Sequence, residues 1–145
     1  MPDNAILLSI RPQYAEKIFE GSKTVELRRV FPKRIKQGAL VLIYVSSPVK
    51  SLSGSFKVVR VVKKPIKELW KIVNKKAGVT YEEFNAYYEG ISVGVAIFFA
   101  EVRKHPKPIE LKDLKKKVLG FFPPQGFSYT NRKELISPQL AKSFR

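Results

Sequence analysis

Hydrophobic side chains recur along this chain in two rhythms, and the switches between them divide it into short elements. Asn4 to Ile10 is a nearly unbroken apolar run that ends at Arg11-Pro12 and reads as a buried strand. From Pro12 the spacing becomes helical: Tyr14, Ala15, Ile18 and Phe19 share a face, and Gly21 is a stop. Thr24 to Arg29 alternates, placing Val25 and Leu27 on one side of a strand and Thr24, Glu26 and Arg28 on the other. Phe31 to Gln37 is basic and irregular. Ala39 to Val45 is apolar at every position, which predicts a strand covered on both faces, ended by Ser46-Ser47-Pro48. Ser55 to Val62 is a valine-rich strand reached through a turn at Lys50 to Gly54, and its phase slips between Val58 and Val59, which predicts either a bulge or burial on both faces.

The rhythm then turns helical again. Ile66, Leu69, Trp70 and Val73 share a side of Pro65 to Val73, and Thr80 with Glu83 forms a capping-box pair ahead of Phe84, Tyr87 and Tyr88. Trp70 and Phe84 are expected in the core. Ser92 to Val102 returns to strand, Leu111 to Val118 is a short basic helix, and Phe121 to Phe127 is a Pro-Pro-Gln-Gly loop. The expected fold is α+β: a small, closed or nearly closed β-barrel of about five or six strands, with helices packed at its side and ends. Residues 1–130 make one domain, and 131–145 form a polar tail expected to fray.

Composition narrows the function. Of 145 residues 44% are hydrophobic, enough for one core, and no apolar run approaches the roughly 18 residues that span a bilayer. The absence of cysteine excludes a disulfide scaffold, a thiolate metal site and a cysteine nucleophile. With no signal-peptide pattern at Met1-Pro2-Asp3-Asn4, the chain is expected to be cytoplasmic. The net charge of +16 is unevenly spread: +9 over residues 1–64, 0 over 65–100 and +7 over 101–145. A basic region beside a neutral one is the footprint of a polyanion binder, whereas a mere lysine-rich amino-acid bias would spread evenly. His105 stands alone, on a Pro-flanked loop expected at the surface, so no multi-histidine metal site or histidine-based triad can be assembled. Neither phosphate-binding glycine motif occurs, and no metal or cofactor is expected.

The most specific motif is Gly21-Ser22-Lys23-Thr24-Val25-Glu26-Leu27-Arg28, directly after the first helix. With Leu8-Ser9-Ile10-Arg11-Pro12-Gln13-Tyr14-Ala15 before it, this resembles the ASCH family of the PUA-like barrel superfamily. Tyr44 to Pro48 and Phe122 to Tyr129 are similar to segments of its archaeal members, often labelled predicted transcriptional regulators. The resemblance implies a PUA-like β-barrel with a cleft beside the first helix, lined by Lys23, Glu26 and Arg28, and a role in RNA binding or RNA-related processing. One branch looks like amidohydrolases of acetylated cytidine that use a lysine, a threonine and a glutamate. Lys23 matches that lysine, but Glu26 stands where the threonine would be, so that mechanism does not carry over.

From the residues alone, Glu26 and Arg28 form either a simple ion pair or part of an anion site with Lys23, Arg29 and the start of the Pro12 helix. The nucleic-acid-binding candidates are Arg11, Lys23, Arg28, Arg29, Ser46, Ser47, Gln125, Phe127 and Tyr129. Bases stack on aromatic rings, for which Phe121, Phe122, Phe127 and Tyr129 are candidates, while Tyr44 is expected in the core. The clusters Lys33-Arg34-Lys36, Lys63-Lys64 and Lys112 with Lys115 to Lys117 suit phosphates, which position a strand without specifying sequence. RNA is the expected partner, with DNA behind it, no membrane and the oligomeric state open. The enzymatic alternative is a metal-independent nucleoside amidohydrolase or ribonuclease in which Lys23 is nucleophile or base and Glu26 the acid.

Overall fold

The computed structural model describes residues 4–30, 32–131 and 135. In chain order the elements are β1 (Asn4–Ile10), α1 (Pro12–Glu20), β2 (Val25–Arg28), β3 (Leu40–Val45) and β4 (Ser51–Pro65). Then come α2 (Ile66–Val73), α3 (Tyr81–Tyr87), β5 (Val93–Glu110), α4 (Leu111–Lys117) and β6 (Phe127–Asn131). The strands form one mixed sheet in the order β2-β5-β4-β3-β1-β6, curled into an open barrel. Among the described residues only the β1–β3 pairing is parallel, because α1, β2 and a long loop carry the chain across before β3 begins. The α+β barrel with helices at its side and ends is therefore the architecture observed.

Alternation along β1 explains why its sequence is apolar throughout. Ile6, Leu8 and Ile10 face the barrel interior with Val41, Ile43, Phe56, Val95 and Ile97, and α1 closes this core with Ala15 and Ile18. Ala5 and Leu7 face outward into a second core with Leu42, Tyr44, Leu52, Leu114 and Leu135. A third core holds α2 and α3 against the outer face of β2 and β5, through Leu69, Val73, Phe84 and Tyr88 packed on Val25, Leu27, Ala96 and Phe98. Thr80 caps α3 in the expected capping box, accepting from the Glu83 N–H at 3.1 Å while the Glu83 carboxylate accepts from the Thr80 N–H at 2.9 Å.

The structure corrects several boundaries. Of the bulge or two-faced burial expected near Val59, the bulge is present, as a register shift between Val58 and Arg60, and Val59 is exposed. The turn before β4 lies earlier than Lys50 to Gly54, since Ser51, Ser53 and Ser55 are buried within the strand itself. There Gly54 passes so close to the Phe19 ring and the Arg103 carbonyl that no Cβ fits. β5 continues past Val102 to Glu110 through Pro106 and Pro108, which fall in the gap between the Gly54–Lys104 and Leu52–Ile109 pairs, where their missing N–H groups break no ladder bond. His105 lies on this stretch and is buried, not at the surface; its Nδ1 accepts from the Lys107 N–H at 2.9 Å, and burial lowers its pKa. Phe127, read as the end of a loop, begins β6 (Phe127–Asn131), which pairs with β1 and takes in Asn131 of the expected tail. Of the tail expected over 131–145, only Asn131, the last residue of β6, and the buried Leu135 lie within the described residues.

Candidate functional site

Two backbone devices bring Lys23 to its place. Gly21, in the left-handed conformation at φ 94°, ends α1 and turns the chain sharply. The Lys23 N–H then donates to the Lys17 carbonyl at 3.1 Å and the Thr24 N–H to the Lys76 carbonyl at 2.8 Å, which ties the entry of β2 to the link between α2 and α3. Lys23 is consequently directed inward and is 2% exposed. Its Nζ donates to the Ala77 carbonyl at 2.5 Å, stands 3.7 Å from Glu26 Oε1 and lies 5.4 Å from the centre of the Tyr14 ring.

Glu26 and Arg28 occupy the barrel-facing side of β2, opposite Ile97 and Val95 of β5. The second oxygen of Glu26 lies 3.7 Å from Arg28 Nε, so one carboxylate is shared by two cations. Arg28 Nη2 donates to the carbonyls of Gly126 at 2.9 Å and Ser9 at 3.4 Å, while its Nε is buried without a hydrogen bond. Ser9 holds the same loop from the other side, its N–H donating to the Gly126 carbonyl and its hydroxyl to that of Pro124. Behind the row, Tyr88 shares its one hydroxyl proton between the Arg28 and Val95 carbonyls, and Tyr87 donates to that of Leu27. Burial raises the pKa of both phenols, fixing them as donors.

Electrostatically the row is one carboxylate between two cations, a net positive charge in a place largely removed from water. Burial lowers the pKa of Lys23, against the pull of Glu26, and Lys17 and Arg28 push in the same direction as burial. Lys17 is itself anchored to the Gly78 carbonyl at 2.7 Å.

The other sequence candidates are spread around this row. Arg11 is exposed at the N-cap of α1, and Arg29 is exposed with Nη2 3.5 Å from the Glu89 carbonyl. Ser46 is half-buried at the end of β3, its N–H donating to the Ile10 carbonyl, and Ser47 and Gln125 are exposed. Phe127 is half-buried against the barrel core. Tyr129 is 39% exposed, but the Arg34 guanidinium already lies 4.6 Å from its ring and the Arg34 N–H donates to its hydroxyl. The structure thus joins Lys23, Glu26 and Arg28, sets Arg11 and Arg29 outside them, and leaves Tyr129 apart with Arg34. Sequence reasoning missed Ser9, Tyr14, Ala77 and Gly126. Tyr14 was visible only as part of a helical face, Ala77 and Gly126 contribute carbonyls that leave no trace in residue type, and Ser9, which adds its hydroxyl to its backbone groups, sat inside an apolar strand. A groove of about 420 Å³ runs along the C-terminal end of α1, lined by Phe19, Gly21, Lys23, Phe99 and Lys104, with neither Glu26 nor Arg28 among its walls. Among the described residues no cluster of His, Cys, Asp or Glu is arranged to hold a metal ion, and no helix is long and apolar enough to cross a membrane.

Residues 8–109 match the model of the ASCH domain. The chain belongs to the ASCH domain family. An ASCH domain-containing ribonuclease of Zymomonas mobilis is 30% identical over 128 residues, which cover 88% of this ASCH chain and 85% of that protein. The crystal structure of ASCH from Zymomonas mobilis superposes with a TM-score of 0.85 at 29% identity, covering 96% of this chain and 94% of that one. The large ribosomal subunit protein uL22 of Ureaplasma parvum is also similar, 30% identical over 125 residues, but these make up 38% of its length. The ASCH match begins at Leu8 and so includes α1, β2 and the whole Lys23–Glu26–Arg28 row.

Proposed function

We propose that this ASCH protein is a cytoplasmic RNA-binding protein, a single domain over residues 1–130, with RNA lying against the barrel beside Arg28. The observation that carries this reading is the shared carboxylate: Glu26 neutralises one of two cations, and the row keeps a positive charge where water is scarce. A phosphate is the complementary partner. Arg28 is the partly exposed cation of the row, Arg11 and Arg29 extend the positive field outward, and Ser46, Ser47 and Gln125 add hydrogen-bonding groups at the periphery. The Zymomonas mobilis relative, a ribonuclease by name, supports an RNA partner.

A mobility-shift titration of RNA at two salt concentrations tests it. Binding should weaken steeply with salt, and Arg28→Ala should weaken it further while lowering the salt slope by about one ion. Failure to retain RNA at low salt, or retention indifferent to salt, rejects the reading.

The second reading is a metal-independent hydrolase, favoured by the lowered pKa of Lys23 beside Glu26. Burial pushes the Lys23 amine toward its neutral form, which suits the nucleophile or base, and leaves the acid's part to Glu26, the roles expected from sequence. It ranks second because Lys23 and Glu26 are both buried, whereas binding needs contact from the row only with Arg28, its partly exposed member. RNA cleavage that survives Lys23→Ala would reject it. A transcriptional role of the archaeal-regulator kind ranks third: α2 and α3, the helices of the neutral segment, spend their apolar faces on the sheet.

A further inference from the structure

Between α4 and β6 the chain makes a turn that sorts its side chains sharply. The Phe121 N–H donates to the Val118 carbonyl at 3.1 Å and Gly120 is left-handed at φ 76°, so Val118 and Phe121 turn inward onto the core around Leu114. Leu119 and Phe122 are left outside, 100% and 77% exposed. A phenylalanine presented to water in this way is unusual, and this one is accompanied: Lys115 Nζ lies 5.7 Å from its ring centre, and Lys112, Lys116 and Lys117 share α4. Four residues further on, at most about 14 Å of extended chain, the Gly126 carbonyl accepts from Arg28.

We propose that Phe122 is a stacking platform for one unpaired base of RNA, with the phosphates of that strand held by Lys115 and its neighbours on α4. This rests on the RNA-binding reading and adds to it a second contact point, one loop away from Arg28. The chemistry is that of single-strand recognition, a flat ring beside cations that takes any base by its face. A duplex cannot use it, because paired bases are already stacked on one another. A lipid surface is the weaker fit, since one ring and one leucine offer little apolar area for insertion while the lysines supply charge over a whole helix.

Fluorescence anisotropy with a labelled unpaired RNA and a duplex of equal length, on wild type, Phe122→Ala and Phe122→Trp, tests it. Phe122→Ala should weaken the unpaired RNA by roughly 5- to 100-fold, leave the duplex and the salt slope unchanged, and be rescued by Phe122→Trp, whose emission should be quenched as RNA binds. The position is exposed, so the alanine variant keeps its fold, which circular dichroism verifies. If wild type retains no RNA, the RNA-binding reading itself fails. If wild type retains RNA and Phe122→Ala binds the unpaired strand as well as wild type, or loses duplex and single strand alike, the stacking assignment alone is overturned. Phe122-dependent sedimentation with phosphatidylserine vesicles, RNA binding being unchanged, would equally overturn it.

Discussion

Replacing Glu26 by glutamine keeps the shape of the side chain and removes the charge that Lys23 and Arg28 share. At 3.7 Å each attraction is about 4.5 kcal/mol at an effective dielectric near 20. Much of that gain is offset by the cost of taking the ionised groups out of water, so the intact row adds little net stability. Breaking it is another matter. With Lys23 2% exposed, the substitution strands an ammonium that water cannot reach, which costs about 3–5 kcal/mol. For a domain of 145 residues, at about 3 °C per kcal/mol, the melting temperature should fall by roughly 10–15 °C. Adding Lys23→Met removes the stranded charge, so the double variant should melt several degrees above Glu26→Gln alone. Scanning calorimetry of wild type, both single variants and the double closes the cycle. A Glu26→Gln protein that melts with wild type, or a double variant with purely additive losses, refutes the reasoning.

Two further outcomes follow from the same geometry. Because burial lowers the Lys23 pKa below its ordinary 10.5, the folded chain releases this proton before the unfolded chain does. Stability from this group therefore rises with pH between the folded pKa and 10.5, and below that window its cost is fully present. Wild type should gain on Lys23→Met as pH rises through the window, the shared alkaline losses from Tyr87 and Tyr88 cancelling in the difference; parallel pH profiles would contradict this. Gly54→Ala forces a methyl group into the Phe19 ring and the Arg103 carbonyl, and should cost about 1–3 kcal/mol, seen as a lower urea midpoint at unchanged slope. Gly126→Ala, whose added Cβ would meet no neighbouring atom, should not produce that loss.

What was legible in the sequence was whatever depends on period. Two-residue alternation put Glu26 and Arg28 on one face of β2, and the phase slip at Val59 marked an irregularity there, because both are properties of a single strand. What was hidden depended on partners far along the chain. Lys23 sits between a glycine turn and a strand, where no period assigns a face, and its direction is set by the Ala77 carbonyl, 54 residues away. β6 follows Pro-Pro-Gln-Gly and exists because β1 offers it a free edge, which nothing in Phe127 to Asn131 announces. His105 looked like a surface residue since prolines flank the stretch, whereas those prolines occupy the gap in the β4–β5 ladder.

The hydrogen bond from Arg28 to Gly126 also bears on how the molecule gives way. β2 and β6 are the outermost strands of the sheet, and here a guanidinium on one reaches the carbonyl that leads into the other. A seam fastened by a side chain lacks the cooperativity of a ladder: its charge-assisted bond is worth about 1.5–3 kcal/mol, and it can open without unzipping neighbouring pairs. Local breathing of the barrel is therefore expected first along this join, while the long antiparallel β4–β5 ladder remains shut.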